Sequence, residues 1–178
     1  MVDADQVTRA ALAARDGDAE AAALLVRSTQ ADVWKLCAHL SDPGSADDLT
    51  QETYLRAFRA LHRFAGRSTA RTWLLAIARR VCADHIRTLR RDRLRLVRSA
   101  DPGSDQIPDI SDGVALNALL AGLDPDRREA FVLTQMIGLS YAEAATVCGC
   151  PVGTIRSRVA RARDELVTGM EADRSAEA

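Results

Sequence analysis

Residues 138–166 read GLSYAEAATVCGCPVGTIRSRVARARDEL, and this stretch decides the fold of the C-terminal half. Ser140 with Glu143 three residues later forms a capping box, which starts a helix. Gly149 permits a tight turn, and Pro151 suits the first turn of a second helix. The pattern therefore predicts a helix-turn-helix between Tyr141 and Leu166, a motif whose second helix enters the major groove of DNA.

The second helix of this motif has an apolar stripe and an arginine-rich face. Arg side chains bridge guanine O6 and N7 or pair with phosphates, and hydroxyl groups bond to either. A solvated basic face is the alternative interpretation, but the capped short helix and the glycine turn beside it favour DNA binding. The candidate contact residues are Tyr141, Thr154, Arg156, Ser157, Arg158, Arg161 and Arg163.

The N-terminal half is also predicted to be helical. Gly is scarce, strand-type alternation is hard to find, and 47% of the residues are apolar, enough to build a core. Trp34 is counted among the apolar members of the second helix, and Ser45 is expected to cap the third, with Asp47 and Asp48 in its first turn. The expected helices are Ala4–Ala14, Ala19–Leu40, one that follows Ser45, and about Thr69–Arg93.

A second basic segment follows the loop Phe64–Ala70. Residues 79–98 contain eight Arg and two Asp, and Arg and aromatic faces can stack on unpaired bases. Trp73 alone is better explained as a core residue, but loop and helix together indicate contact with opened, single-stranded DNA. The candidates are Arg67, Ser68, Thr69, Arg71, Thr72, Trp73, Arg79, Arg80, Arg87, Arg90 and Arg91.

An acidic stretch separates the two halves. Residues 99–126 contain six Asp and no Lys or Arg, and two Pro fall within 99–112. We interpret 98–112 as a flexible linker. The sequence therefore predicts an all-α protein with two small helical domains, 1–97 and 113–170, and a tail at 171–178. Two helices, Val114–Leu123 and Asp126–Ile137, precede the helix-turn-helix.

Several other classes are disfavoured by what the sequence contains. Four Cys do not make a disulfide framework in a chain of 178 residues, and no secretory or membrane-spanning stretch is found, so a soluble cytoplasmic protein is expected. Cys148 and Cys150 could be half of a zinc site or a redox pair, but no second ligand pair stands nearby. No Walker A loop, GxSxG motif or acid–base pair is found, so we expect no enzyme, no cofactor and no metal.

Taken together, three blocks resemble the extracytoplasmic-function (ECF) sigma factors of bacterial RNA polymerase. They are SADDLTQETYLRA at 45–57, FAGRSTARTWLLAIAR at 64–79 and the helix-turn-helix block at 138–163. The resemblance implies a protein that binds core RNA polymerase, recognises the −35 and −10 promoter elements and melts the −10 region. An anti-sigma factor is a possible further partner.

The resemblance also implies roles for individual segments. Residues 67–73 would capture a flipped base of the −10 element, 79–91 would hold its duplex, and the helix-turn-helix would contact the −35 element. Residues 116–137 would pack on the flap tip of the second-largest polymerase subunit, and the acidic linker would thread the RNA channel. The residues expected to dock on the clamp helices of the largest subunit are Asp47, Asp48, Leu49, Gln51, Glu52, Tyr54, Leu55 and Phe58.

Two positions depart from the pattern of the family. Arg80 stands where an Asn is frequent, which exchanges a base-edge contact for charge, and Ala160 stands where a larger residue sometimes occurs. Two other classes stay open: a two-domain DNA-binding regulator whose N-terminal half takes an effector, and an interaction protein such as a sigma antagonist. Specific initiation with core polymerase distinguishes a sigma factor from both.

Overall fold

The computed structural model describes residues 3–97 and 118–176, and every regular element within those ranges is helical. The N-terminal lobe contains α1 (Ala4–Arg15), α2 (Ala19–Leu40), α3 (Ala46–Ala60) and α4 (Ala70–Val97), with 3₁₀ turns at Pro43–Ser45 and Leu61–Arg63. The C-terminal lobe contains a helical segment at 118–122, α5 (Pro125–Phe131), a π-helical turn at Val132–Met136, α6 (Tyr141–Cys148) and α7 (Val152–Ala176). The all-α class is confirmed. The expected linker 98–112 lies outside the described residues. Among the residues that are described, no helix is long and apolar enough to cross a bilayer.

The helix starts follow from local capping, with one correction. Asp18 caps α2 by accepting a hydrogen bond from the Ala21 N–H at 3.0 Å. The expectation that Ser45 caps α3 is wrong, because its side chain makes no capping bond. Asp42 instead accepts from the Ser45 N–H at 2.8 Å and starts the 3₁₀ turn that leads into α3. Pro43 explains this shift, since proline favours the first position of a helix and makes the residue before it the cap.

The N-terminal core is built from aliphatic side chains, and Trp34 is not part of it. Val33 and Leu36 are fully buried, whereas Trp34 is 40% exposed and its indole N–H donates to Asp47 Oδ1 at 2.8 Å. Successive residues of a helix are about 100° apart, so a buried Val33 turns Trp34 towards the side of α2 that borders α3. Trp34 is thus an apolar member of α2 that lies at the surface and outside the buried stripe.

The two lobes are in direct contact. One cluster of buried apolar side chains runs through both, from Leu25 and Leu74 to Leu133 and Ile155. Arg79 of α4 forms an ion pair with Glu129 of α5, whose side chain is only 8% exposed. These contacts place the start of α4 against the C-terminal lobe.

Candidate nucleic-acid interface

The helix-turn-helix has the geometry that its sequence predicts. The Ser140 hydroxyl accepts from the Glu143 N–H at 3.2 Å, and the Glu143 carboxylate accepts from the Ser140 N–H at 2.9 Å. Gly149 ends α6 with a φ of 67°, in the left-handed region that glycine adopts without a Cβ clash. The turn therefore directs α7 across α6, with its first residues towards solvent.

The exposed face of α7 carries the residues suited to base recognition. Its inward stripe consists of Ile155, Val159 and Ala162, all buried. Arg156, Ser157 and Arg161 are exposed on the other side. The Arg156 guanidinium lies 6.0 Å from the centre of the half-buried Tyr141 ring, a cation–π distance that restrains the direction of this arginine.

Two arginines expected on this face are instead held by the C-terminal lobe. Arg158 forms an ion pair with Asp126 of α5. Arg163 donates to Gln135 Oε1 of the π-helical turn at 2.6 Å. Because α5 and the π-helical turn border this side of α7, Arg158 and Arg163 already have partners within the protein, although Arg163 is still exposed. Thr154 is half-buried at the edge of the exposed face.

The loop at 64–70 combines an exposed arginine with a shaped backbone. Arg67 is exposed, and Ser68 and Thr69 are half-buried. The Thr69 hydroxyl accepts from the Thr72 N–H at 3.1 Å and thereby caps α4. Thr72 is buried, so Thr69 and Thr72 shape the loop from within.

Trp73 is packed against the inner side of the same loop. Its ring centroid lies 4.9 Å from that of the buried Phe64, with the two rings tilted by 43°. The indole is half-buried. The core interpretation of Trp73 therefore fits its packing, and part of the side chain still reaches the surface beside Arg67.

The basic face of α4 divides into an engaged part and an exposed part. Arg71 donates from Nε to Asp32 Oδ2 and from its terminal nitrogen to the Ile137 carbonyl, both at 2.6 Å. Arg79 is paired with Glu129, as described above. The exposed part comprises Arg80, Arg90 and Arg91, together with Arg87, which is exposed although it pairs with Asp84 of the same helix.

A carboxylate ties the exposed part of α4 to α3. Asp84 accepts from Arg56 at 2.7 Å and also pairs with Arg87. The guanidinium groups of Arg56 and Arg87 lower the pKa of Asp84, because they favour its charged form. Arg56 also pairs with Glu52 at 2.7 Å, one turn earlier on α3.

The face of α3 expected to dock on polymerase has an acidic end and an apolar end. Leu49 and Tyr54 point into the core, where the Tyr54 hydroxyl lies 2.7 Å from Thr29 Oγ1, so they support this face from beneath. Glu52 is half-buried in its pair with Arg56. The members that reach the surface are Asp47, Asp48, Gln51, Leu55 and Phe58.

Trp34 extends this face onto α2, which the sequence interpretation missed. Leu55 is 48% and Phe58 43% exposed, and with Trp34 they border a groove of about 360 Å³. The sequence did contain a signal for this: Trp34 directly follows Val33, so it cannot lie on the same side of α2 as the apolar stripe to which Val33 belongs. We use the name docking face for the surface formed by Trp34 with Asp47, Asp48, Gln51, Leu55 and Phe58 of α3.

Cys148 and Cys150 lie at the turn between α6 and α7, where both are half-buried. Burial raises the pKa of the Cys148 thiol, and the nearby Glu129 carboxylate adds to the shift. This thiol stays protonated at neutral pH and is a poor nucleophile or metal ligand. The absence of a metal or redox role remains a prediction.

Comparison with known proteins identifies both lobes. The family model Sigma-70 region 2 matches residues 25–92, and Sigma-70, region 4 matches residues 113–166. The ECF RNA polymerase sigma factor SigC of Mycobacterium tuberculosis is 55% identical over 176 residues, covering 96% of this chain and 95% of the relative.

Two solved structures share the arrangement. CnrH, solved in complex with the cytosolic domain of CnrY, superposes with a TM-score of 0.75 at 30% identity and covers 96% of this chain and 99% of its own. RpoE, solved with the anti-sigma factor NepR from Bartonella quintana, gives 0.71 at 29% identity and covers 83% and 95%. With the family models at both lobes and the relative along nearly its whole length, the chain belongs to the ECF sigma factors, the initiation factors that direct bacterial RNA polymerase to promoters.

Proposed function

We propose that the two lobes of this sigma factor divide promoter recognition between double-stranded and opened DNA. The exposed face of α7, with Arg156, Ser157 and Arg161, contacts the −35 element in the major groove. The loop 64–70 and the exposed arginines of α4 bind the −10 element. The observation that carries this division is that the two surfaces differ in kind: one is the exposed face of a helix that follows the capped helix α6 and the Gly149 turn, and the other is a loop backed by a half-buried indole.

Opening of the −10 element needs positioned contacts and no covalent chemistry. Extruding a base costs a few kcal/mol, which a shaped pocket offsets by stacking and hydrogen bonds. Arg67 is placed to hold the strand, and the Phe64–Trp73 pair fixes the wall behind it. The protein thus acts as an initiation factor without catalytic activity of its own.

The engaged and exposed arginines of α4 act at different stages. Arg80, Arg87, Arg90 and Arg91 supply the first phosphate contacts, because they reach solvent in the free protein. Each neutralised phosphate adds about −0.9 to the slope of log K against log salt concentration. Arg71 joins only when it exchanges Asp32 and the Ile137 carbonyl for phosphate groups, and Arg79 only when it exchanges Glu129.

The remaining surfaces bind protein partners. The docking face meets the clamp helices of the largest polymerase subunit, where the exposed Trp34, Leu55 and Phe58 supply apolar contact and the acidic residues supply orientation. Residues 116–137, which the structure describes from 118 onwards, pack on the flap tip. The sigma factor RpoE, solved with the anti-sigma factor NepR, supports an anti-sigma factor as a further partner. All these partners place the activity in the cytoplasm.

Run-off transcription with purified core polymerase tests this proposal. A genomic library of promoter fragments should give discrete start sites only when the protein is added, and mapping them defines the −35 and −10 elements. Specific DNA binding without core polymerase, together with no initiation, would indicate a regulator instead.

Two substitutions then test the assignment of the lobes on a mapped promoter. Arg67→Ala should reduce opening of the −10 element, whereas Arg161→Ala should weaken binding of the −35 duplex. Arg27→Ala, on an exposed part of α2 away from both surfaces, is the matched control and should leave both steps unchanged. Equal effects of all three variants would contradict the assignment.

A further inference from the structure

Helix α1 lies ahead of the segment matched by the region 2 model, which begins at residue 25. Its inner side is nonetheless built into the lobe, with Val7, Ala10 and Ala11 buried. Two of its polar side chains, Thr8 and Arg15, reach the backbone of the loop 64–70. These two contacts join α1 to the first and last residues of the loop.

Arg15 holds the entrance of the loop. Asp16 accepts from Arg15 Nε at 2.9 Å and from one terminal nitrogen at 3.2 Å, which fixes the plane of the guanidinium group. The other terminal nitrogen donates to the Phe64 carbonyl at 3.2 Å. Phe64 is the residue whose ring packs on Trp73, so this bond anchors the loop next to its aromatic wall.

Thr8 holds the exit of the loop. Its hydroxyl donates to the Ala4 carbonyl at 2.9 Å and accepts from the Ala70 N–H at 3.1 Å. Ala70 is the first residue of α4, and its N–H is one of those that a helix leaves without an internal partner. Thr69 satisfies the Thr72 N–H from within the loop, and Thr8 satisfies Ala70 from a different helix.

Leu12 lies between these two contacts and faces the middle of the loop. Gly66 has a φ of 66°, and a Cβ built there would lie 3.7 Å from the Leu12 side chain. The backbone of the loop therefore passes close to α1 at its turning point as well as at both ends.

We propose that α1 is a positioning element for base capture, with Thr8 and Arg15 as its positioning residues. By fixing both ends of the loop before DNA arrives, they remove the entropy cost of ordering it during strand opening. This inference rests on the proposed role of the loop 64–70 at the −10 element. It assigns a function in promoter opening to a helix outside the matched domain.

The test compares two substitutions of Thr8 in holoenzyme made from the full chain and core polymerase. Thr8→Val keeps the shape of the side chain and removes its hydroxyl, whereas Thr8→Ser keeps the hydroxyl. Thr168→Val is the matched control, because the Thr168 hydroxyl donates only to the Asp164 carbonyl of its own helix, at 2.9 Å. The probe is a single-stranded −10 oligonucleotide of the mapped promoter, with 2-aminopurine at the captured base.

We expect Thr8→Val to bind this oligonucleotide about tenfold more weakly, the effect of one lost hydrogen bond to a buried group. The 2-aminopurine signal should fall in parallel, while affinity for core polymerase and for the −35 duplex stays unchanged. Thr8→Ser should restore binding, and Thr168→Val should match the wild type. Arg15→Met should resemble Thr8→Val, since it keeps the alkyl stem and loses the donor.

Two results would overturn the inference. One is wild-type binding by Thr8→Val. The other is an equal loss for Thr8→Val and Thr8→Ser with a matching fall in melting temperature, which would mean that Thr8 only stabilises the lobe. Failure of the proposed function looks different: the wild type itself would show no preference for the −10 strand, or Arg67→Ala would bind it normally.

Discussion

The two helices that we propose contact DNA, α4 and α7, have similar arginine-rich faces, but the engaged arginines on them are held in different ways. On α7, Arg158 and Arg163 bind Asp126 and Gln135 of the same lobe. On α4, Arg79 pairs with Glu129 of the other lobe, and Arg71 binds the Ile137 carbonyl of that lobe as well as Asp32 of its own. The engaged arginines of α7 are thus held within their own lobe, whereas those of α4 are held in part by the neighbouring lobe.

This difference matches the two tasks. A helix that contacts intact duplex benefits from a rigid frame, because any freedom in its arginines is lost on binding. A helix that acts on opened DNA binds its ligand only after the strands separate. Arginines that have protein partners before that step do not bind the phosphates of the closed duplex. The comparison can be tested by substituting exposed and engaged residues in matched pairs.

The largest effect is expected at the exposed face of α7. The double substitution Arg156→Ala with Arg161→Ala should weaken binding of holoenzyme to the −35 duplex by about 2–6 kcal/mol, since each good base contact contributes about 1–3 kcal/mol. The matched pair Arg158→Ala with Arg163→Ala should cost less than about tenfold in affinity, because these residues are bound to Asp126 and Gln135. Fluorescence anisotropy measures both, and equal losses would show that the whole basic face contacts DNA.

A smaller effect is expected where α4 meets the other lobe. Glu129→Gln should lower the free energy of unfolding by about 1–3 kcal/mol, because it removes a charge-assisted hydrogen bond to Arg79 from a buried position. Asp126→Asn is the control on α5, where the pair with Arg158 has a carboxylate that is 55% exposed, and should cost about 1 kcal/mol or less. Urea titration gives both values. A larger loss for Asp126→Asn would reverse the proposed order of the two contacts.

The smallest effect is expected at Asp84, whose pairs with Arg56 and Arg87 lie within the N-terminal lobe. The pKa of Asp84 is lowered in the folded state by these guanidinium groups, so the stabilisation is present above the ordinary aspartate pKa of about 3.9 and is lost as the pH falls through the folded-state value. Because the ion pairs of Asp84 with Arg56 and Arg87 are partly exposed, they contribute about 0.2–1 kcal/mol to the free energy of unfolding. Asp84→Asn should therefore flatten the loss of stability between about pH 5 and pH 3, measured by thermal unfolding. An unchanged slope would indicate that other carboxylates account for it.

The features that the sequence predicts well are local ones. The capping box of Ser140 and Glu143, the turn at Gly149 and the bounds of α2 depend on residues a few positions apart, and all are observed. Ser45 was misassigned as a cap because Asp42 and Pro43 form a competing start just upstream. The helical pattern also predicts which side of a helix an arginine lies on: Arg156 and Arg161 are expected on the side of α7 opposite its apolar stripe, and both are exposed there.

The contacts between lobes could not be predicted in the same way. Arg79 and Glu129 are fifty positions apart, and nothing in the periodicity of either helix marks them as partners. The contacts from Thr8 and Arg15 to the loop depend on how α1 packs, which the helical pattern alone does not specify. Trp34 was counted among the apolar members of α2, a description that does not show whether its ring lies in the core or at the surface.

The bond from Arg71 to the Ile137 carbonyl has a genetic consequence. A carbonyl belongs to the backbone, so every residue type at position 137 offers the same acceptor. A variant that loses Arg71 therefore has no compensating substitution at 137, whereas exchanging the charges of Arg79 and Glu129 keeps an ion pair between the same two positions. Suppressor selections starting from these two sites should differ accordingly: reversion alone restores the first contact, and second-site changes restore the other.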